Sequence, residues 1–247
     1  MKILVYTDLK NIEKSILSNI YKFLNKYIAE GTVEMPTTVY DSASMWTVVV
    51  DDYENVLGFS AQKFFKHKYY NIVQIMATFL DPEIRGKKFA SLLIQGKIFT
   101  RLWLKNFIKP IFWCTRTRMP AAYAAASKYN TLYPSLDNVI VNRNNFEFAR
   151  KLANLVYGEN IDLDRDTYVM KGSYHNVIRF TEPGPSNKKG KISSFFKDNI
   201  DYKNNETLFV YSKLKLSSLI TFVFTDFMFI LEKSLSFYKK KFIFGQH

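Results

Sequence analysis

The sequence predicts an α/β fold in which a mixed central sheet is flanked by helices and an apolar helix follows near the C-terminal end. Three observations support this prediction. Strand-like runs alternate with segments of helical periodicity along most of the chain. Hydrophobic residues make up 47% of the 247 residues, which is enough to build a packed core. One strand-like run ends at Asp81 and leads through a charged turn into an apolar-periodic helix.

The first part of the chain is predicted to form four strands and one helix. Residues 2–7 form the first strand, and an amphipathic helix follows from Asp8 or Asn11 to about residue 29, ended by Gly31. Further strands are expected over residues 46–50, 56–61 and 72–80, joined by a turn at 51–55 and a basic, aromatic loop at 63–70. These three strands are therefore expected to be consecutive and connected as hairpins.

The second part is predicted to add three helices and three strands. The helices are expected over residues 87–105, 120–129 and 144–157, with Pro120 in a first turn and Gly158 after the last helix. The strands are expected over residues 110–115, 167–170 and 208–211, with a loop at 183–191. We expect residues 1–215 to form one domain and residues 216–247 to form an apolar and basic extension.

The turn after Asp81 is a candidate anion site. A strand that leads into a helix through a turn directs main-chain N–H groups and the positive end of the helix dipole to one point. Arg85, Lys87 and Lys88 add three cations there. The residues alone therefore indicate a bound phosphate or pyrophosphate, and a solvated basic turn before an ordinary helix is the alternative.

The same residues carry a family resemblance. The run Arg85-Gly86-Lys87-Lys88-Phe89-Ala90 resembles the acyl-CoA signature of the GNAT superfamily of N-acyltransferases, Arg/Gln-x-x-Gly-x-Gly/Ala, with Lys88 in place of the central glycine. The predicted order β-α-β-β-β-α-β-α is also the GNAT order. The run Arg116-Thr117-Arg118-Met119-Pro120-Ala121-Ala122-Tyr123 is similar to the Arg-Thr-x-Asn-Pro-x-x-Tyr pattern of uncharacterised GNAT-like proteins, with Met119 in place of the Asn.

The resemblance implies an acyl-CoA-dependent N-acyltransferase, in the first place an acetyltransferase, in which an amine attacks the thioester directly. Acetyl-CoA or another acyl-CoA is then the donor substrate, and a molecule with an amine group is the acceptor. The main chain of Thr78 and Leu80 is expected to pair with the pantetheine arm. The expected contacts to the pyrophosphate and the other phosphates come from Arg85, Gly86, Lys87, Lys88, Phe89 and Ala90.

The resemblance leaves the catalytic acid and base open. Many GNAT enzymes protonate the leaving thiolate with a tyrosine on the helix after the fifth strand, and Ala126 occupies that position here. Tyr123 and Tyr129 lie one turn to either side and are the catalytic candidates, with packing as the alternative role. Candidate general bases are Asp51, Asp52, Asp81 and Glu83, or a water molecule. The isolated histidines His67 and His175 are typical of surface or packing residues.

The net charge of +13 indicates an acidic partner, and a lysine-rich coding bias is the alternative source of this charge. The run 64–70 interleaves aromatic and basic residues, which favours nucleic-acid contact, although a turn between two strands also explains it. A second hypothesis is therefore a GNAT-shaped basic module that binds nucleic acid or a protein without catalysis. Lys88 and Ala126 favour this hypothesis, whereas Arg85, Gly86 and Ala90 favour the enzyme.

The single cysteine, Cys114, excludes an internal disulfide and a cysteine-based zinc site, and we expect no metal. No signal sequence is visible at the N-terminus, so we expect a cytoplasmic protein. Residues 216–231 are the most apolar run, but they are shorter than the roughly 20 residues of a membrane span and include Asp226. We expect a buried helix or a homodimer interface there, with peripheral membrane contact through residues 216–241 as the alternative.

Overall fold

The structure, a computed structural model, describes residues 1–7, 9–26, 42–85, 109–128, 131–136, 143–158, 160–172, 190–215, 217, 220–221 and 224. Within these residues the strands are β1 (Lys2–Tyr6), β2 (Met45–Val50), β3 (Val56–Lys66), β4 (Asn71–Leu80), β5 (Ile111–Thr117), β6 (Val169–Met170) and β7 (Thr207–Lys213). The helices are α1 (Lys14–Asn25), α2 (Pro120–Ser127), α3 (Arg143–Tyr157) and α4 (Lys191–Asn199). Short 3-10 turns span Leu9–Asn11 and Pro82–Ile84.

The described strands form one sheet in the order β1-β2-β3-β4-β5-β7-β6. β4 and β5 are parallel, and the other neighbouring pairs are antiparallel. A parallel pair needs a long crossover connection, and the chain between Leu80 and Ile111 supplies it. The mixed sheet with flanking helices confirms this part of the predicted fold class, whereas almost all of the predicted apolar C-terminal helix lies outside the described residues.

Helices cover both faces of this sheet. On one face α1 buries Ile16, Ile20 and Phe23 against alternate residues of β2 and β3. On the other face α2, α3 and α4 pack against β4, β5 and β7. Every residue of β2 is buried, as expected for an inner strand that is covered on both faces. The helices therefore hold the middle of the sheet rigidly, and its ends are where a site can form.

β3 is longer than the sequence predicts. The pattern indicates a strand over 56–61 and a loop from Lys63, but β3 continues to Lys66. It continues because β4 supplies a pairing partner for each residue as far as the Lys66–Asn71 pair. Lys63 is accommodated in the strand, where its ammonium lies 5.6 Å from the centre of the Phe65 ring.

Other boundaries also differ, and one helix is new. α1 begins at Lys14, after the short turn Leu9–Asn11, and β7 continues to Lys213. The sequence did not predict α4, although Ile192, Phe195 and Phe196 have helical spacing. This helix of nine residues follows the Gly- and Lys-rich segment that the sequence indicates as a loop, so its short pattern was missed. Phe196 is fully buried and secures the helix.

Several predictions concern residues outside the described part of the chain. They include the helix over 87–105, Tyr129, almost all of the extension 216–247, and the five residues Gly86, Lys87, Lys88, Phe89 and Ala90. Among the helices that the structure does describe, none is long and apolar enough to cross a membrane.

Candidate functional site

The sheet divides between β4 and β5. The two strands pair over only four residues each, from Asn71 with Ile111 to Gln74 with Cys114. Beyond this point β4 continues to Leu80 beside β3, and β5 continues to Thr117 beside β7. Among the described residues, no strand occupies the gap between them. Among the described residues, the last six residues of β4 therefore have no strand partner on the β5 side, and we call the region where the two strands diverge the wedge.

A bulge in β4 accounts for this division. Opposite β3, Ala61 pairs with Ala77 whereas Gln62 pairs with Ile75, so Met76 is an extra residue in β4. A β-bulge bends its strand and increases the local twist. Because Met76 comes two residues after the last pair with β5, the bend carries the end of β4 away from β5. We call the point where the two strands stop pairing the apex. There the Thr115 hydroxyl donates a hydrogen bond of 3.0 Å to the Ile75 carbonyl oxygen.

The end of β4 leads into the predicted anion turn. The Asp81 side chain accepts a hydrogen bond from the N–H of Glu83 at 3.1 Å, and the Asp81 carbonyl oxygen accepts those of Ile84 and Arg85. Pro82 has no N–H group. The amides of residues 83–85 are thus used within the turn, so any main-chain donors for an anion must come from Gly86 onwards.

Arg85 closes the turn with its side chain. Its Nε donates a hydrogen bond of 2.8 Å to the carbonyl oxygen of Leu80, the last residue of β4. The sequence predicted Arg85 as a phosphate contact and Leu80 as a main-chain contact to the pantetheine arm. The structure brings both residues together and shows that Arg85 also fixes the strand end from which the next residues start.

Thr78 and Leu80 lie on β4 beyond the end of its pairing with β5. Thr78 is exposed, and its hydroxyl lies 2.9 Å from that of Ser60 on β3. Leu80 pairs with Gly58 of β3. A Cβ added to Gly58 would lie 3.0 Å from the Leu80 side chain. Glycine therefore allows this close approach, and Leu80 stays in register at the end of the strand.

Tyr123 is a buried residue of α2. Its side chain is 3% exposed. The hydroxyl donates a hydrogen bond to the carbonyl oxygen of Pro134 at 2.8 Å and accepts one from the N–H of Leu136 at 3.0 Å. The ring also contacts Phe196 of α4 edge-on. These contacts favour the packing role that the sequence left open over the role of a proton donor.

Three of the candidate bases have structural roles. The Asn55 side chain, with the N–H groups of Asn55 and Tyr53, lowers the pKa of the Asp51 carboxyl below its usual value. Asp52 forms an ion pair of 3.0 Å with the terminal amine of Met1. Asp81 caps the turn described above. Since a carboxylate with a lowered pKa is a weaker base, Asp51 in particular is poorly suited to accept a proton at neutral pH.

Arg118, in the connection from β5 to α2, and Tyr202 are joined by two hydrogen bonds that the sequence did not predict. We call this pair the clasp. The Arg118 guanidinium donates a hydrogen bond to the carbonyl oxygen of Tyr202, and the Tyr202 hydroxyl donates one of 2.9 Å to the carbonyl oxygen of Arg118. The guanidinium also lies 5.0 Å from the centre of the Tyr202 ring. Burial raises the pKa of the Tyr202 hydroxyl, although Arg118 opposes this shift. The clasp fixes the start of α2 beside the wedge.

Cys114 lies next to the apex but offers no nucleophile. It is fully buried, and this burial raises the pKa of its thiol well above the usual range. Cys114 is therefore a residue of the hydrophobic core. Within the described ranges no group of three or more His, Cys, Asp or Glu side chains is arranged to hold a metal ion.

Comparisons with known proteins give distant structural likenesses. No family model matches the chain, and no curated protein matches its sequence. The chain is similar to a phosphinothricin acetyltransferase of the GNAT superfamily from Sinorhizobium meliloti, in complex with AcCoA, at 13% identity and a TM-score of 0.43, covering 87% of this chain and 89% of that one.

Two further solved structures are similar. Naa50 of Arabidopsis thaliana, in complex with a bisubstrate analogue that contains CoA, gives 10% identity and a TM-score of 0.39, covering 87% of this chain and 100% of that one. A GNAT family N-acetyltransferase of Escherichia coli, in complex with CoA, gives 18% identity and a TM-score of 0.35, covering 52% of this chain and 72% of that one.

Proposed function

We propose that this chain, whose sheet has the GNAT-like arrangement, is an acyl-CoA-dependent N-acyltransferase. The donor is acetyl-CoA or another acyl-CoA, and the acceptor is an amine. The observation that supports this proposal is the edge of β4 beyond Gln74, which pairs with no described strand on the β5 side and leads to the turn of Arg85. An extended ligand arm can add to such an edge as a further strand would, through main-chain hydrogen bonds. The proposed transferase domain spans residues 1–215.

The proposed reaction is a direct transfer. The amine nitrogen, after loss of its proton, attacks the thioester carbonyl carbon, the carbon–sulfur bond breaks, and the leaving thiolate takes up a proton. Holding both reactants in the wedge would supply most of the rate gain, because orientation replaces a bimolecular encounter. The main-chain edge at Thr78 and Leu80 would align the pantetheine arm. Donors and cations from Arg85 to Ala90 would hold the phosphates.

Arg85 has two tasks in this proposal. Its Nε–H fixes the end of β4 through Leu80, while the guanidinium keeps its positive charge and directly precedes Gly86, Lys87 and Lys88 in the sequence. Charge reversal at this position would therefore remove both the attraction for phosphate and the restraint on the turn. Replacement by lysine keeps the charge and loses only the fork-shaped donor set.

Tyr129 is the proposed source of the proton for the thiolate. Of the two tyrosines that the sequence indicates, Tyr123 has its hydroxyl engaged by Pro134 and Leu136, so it is the weaker candidate. The general base is proposed to be Glu83 or a water molecule, since the other three candidates, Asp51, Asp52 and Asp81, are engaged in turns and ion pairs.

Calorimetric titration of acetyl-CoA and CoA into the full chain tests the proposal. We expect micromolar binding that Arg85→Glu weakens by about tenfold or more, equivalent to about 1.4 kcal/mol. Arg85→Lys is expected to bind with an intermediate affinity. Arg165→Glu is the matched control, because Arg165 is an exposed arginine in another turn and its reversal changes the net charge equally. Release of free thiol with a panel of small amines and peptides then identifies the acceptor class.

The same titration decides the alternative function. A GNAT-shaped basic module without catalysis is favoured by Lys88, whose side chain stands where the motif has a glycine and the main chain must approach phosphate. If no acyl-CoA of any chain length binds the folded wild-type protein, the transferase is excluded and the binding module takes its place. Equal weakening by Arg85→Glu and Arg165→Glu would also contradict the proposed cofactor site.

A further inference from the structure

The positive charge of this protein is concentrated in one third of the chain. Residues 55–136 contain 13 of the 35 Lys and Arg residues but only 2 of the 22 Asp and Glu residues. This segment thus carries +11 of the net charge of +13, and the rest of the chain is nearly neutral. A general coding bias towards lysine would spread the excess over the whole chain. The uneven distribution therefore indicates an anionic partner for β3, β4, β5 and their connections.

Part of this charge lies at the connection between β3 and β4 and at Lys109, shortly before β5. We call Lys66, His67, Lys68, Tyr69 and Lys109 the β3–β4 tip. Lys109 belongs to it because its ammonium lies 3.4 Å from the carbonyl oxygen of His67. The side chains of the three lysines are exposed, and within the described part of the chain none of them forms an ion pair.

The tip is held in a fixed shape. The N–H of His67 donates a hydrogen bond of 3.0 Å to the carbonyl oxygen of Tyr70. The His67 ring stacks on the Tyr70 ring with 4.2 Å between centroids. Tyr70 in turn contacts Phe112 of β5 and Phe148 of α3 edge-on. A ligand would therefore meet a surface that is already ordered, which lowers the entropic cost of binding.

Tyr69 extends from this surface into solvent. Its side chain is 66% exposed, so the face of the ring is accessible to a ligand. The Lys68 ammonium lies 5.3 Å from the centre of the Tyr69 ring. An aromatic surface and a cation are thus side by side, which is the combination that binds a base and its phosphate.

The tip and the turn of Arg85 are at opposite ends of β4. Leu80 comes nine residues after Asn71 along the strand, which corresponds to at most about 30 Å at roughly 3.3 Å per residue. The phosphates of an acyl-CoA held at residues 85–90 are therefore remote from Lys66, Lys68 and Lys109. An anion bound by the lysines of the tip would therefore be a different one.

We propose that the β3–β4 tip binds single-stranded nucleic acid, with a base stacked on Tyr69 and phosphates at Lys66, Lys68 and Lys109. The exposed ring favours a single strand over a duplex, because the bases of a duplex are already stacked on one another. Binding of an oligonucleotide at the tip can be measured without any acyl-CoA, so this proposal is tested independently of the proposed acyl transfer.

Fluorescence anisotropy of the full chain with labelled oligouridine of about 15 nucleotides tests this site. The tip variant carries Lys66→Glu, Lys68→Glu and Lys109→Glu. We expect it to bind tenfold or more weakly at low salt. The slope of log K against log salt should fall by about 2, because each phosphate that is no longer neutralised lowers this slope by about 0.7. Tyr69→Ala is expected to weaken binding about fivefold or more, since the base no longer has a ring to stack on.

The matched control carries Lys191→Glu, Lys197→Glu and Lys203→Glu. These exposed lysines lie on α4 and the turn before β7, at the opposite end of the sheet from the tip. The control changes the net charge equally and is expected to keep more affinity than the tip variant. Circular dichroism and thermal melting check that all variants fold. If the glutamate variant unfolds, Lys66→Gln with Lys68→Gln replaces it.

Three results would overturn the proposal. Equal loss of affinity in the tip and control variants would mean that only net charge matters. Equal binding of a duplex and the single strand, with no effect of Tyr69→Ala, would exclude base stacking. Absence of oligonucleotide binding, with tip-dependent binding to vesicles that contain an anionic lipid, would assign the tip to a membrane surface instead. None of these results bears on the titration with acyl-CoA.

Discussion

Thr115 of β5 bonds Ile75 of β4 through its side chain at the point where the two strands stop pairing. The hydroxyl donates a hydrogen bond of 3.0 Å to the carbonyl oxygen of Ile75, one residue beyond the last ladder pair of Gln74 and Cys114. A side chain thus replaces the main-chain partner that Ile75 would have in a continuous parallel sheet. The bond lets the strands diverge without leaving this carbonyl group unsatisfied, which is costly in a protein interior.

Thr115→Val should therefore destabilise the apex of the wedge. We expect the free energy of unfolding to fall by about 1 kcal/mol, the usual contribution of one such hydrogen bond, and the affinity for acyl-CoA to fall with it. Thr115→Ser keeps the hydroxyl and should retain most of both quantities. Urea denaturation and calorimetry measure them. Equal stability of the valine variant and the wild type would show that the bond does not hold the apex.

Asp164 provides a test based on pH. The hydroxyl of Thr167, together with the N–H groups of Thr167 and Asp166, lowers the pKa of the Asp164 carboxyl. A carboxyl with a lower pKa in the folded state stabilises the protein above its unfolded pKa of about 3.9, and this contribution is lost as the pH falls through the folded pKa. Asp164→Asn should therefore reduce stability at pH 7, and the difference from wild type should shrink below about pH 4.

Urea denaturation at several pH values measures this difference. Asp198→Asn is the control, because Asp198 is an exposed carboxylate on α4 and its loss changes the net charge equally. A difference between Asp164→Asn and wild type that stays constant from pH 7 to below the unfolded pKa would contradict the predicted linkage.

The sequence predicted the β2–β3–β4 hairpins and the position of the turn after Leu80 because these features are local. Strand periodicity and the residues Asp51 and Asp81, which begin turns, are sufficient to locate them. It did not predict that β3 continues to Lys66, because this depends on pairing with β4 and not on the composition of β3. The bulge at Met76 has no sequence signal for the same reason.

Contacts between distant residues limited the prediction of the site. Thr115 and Ile75 are 40 residues apart, and Arg118 and Tyr202 are 84 residues apart. No spacing rule relates such pairs, so the apex bond and the clasp become visible only in the fold. The motif of Arg85 was found because its residues are contiguous, yet its bond to Leu80 was not predicted.

Tyr123 allows its two possible roles to be separated by experiment. Tyr123→Phe removes the hydroxyl and leaves the N–H of Leu136 without its acceptor. In the packing role, we expect the free energy of unfolding to fall by about 1–3 kcal/mol. The rate of acyl transfer at saturating substrate and its dependence on pH should then match those of the wild type. Thiol release, measured over a range of pH once an acceptor is found, and urea denaturation give the two quantities.

Tyr129→Phe is the matched variant, because it removes the same group from the other candidate acid. We expect it to lower the rate by about a hundredfold or more and to abolish the alkaline limb of the pH profile, as for a lost general acid. If Tyr123→Phe produced that kinetic loss with little change in stability, the hydroxyl would have to leave Pro134 and Leu136 during turnover. Tyr123 would then be the acid, and its hydrogen bonds in this structure would describe a resting arrangement.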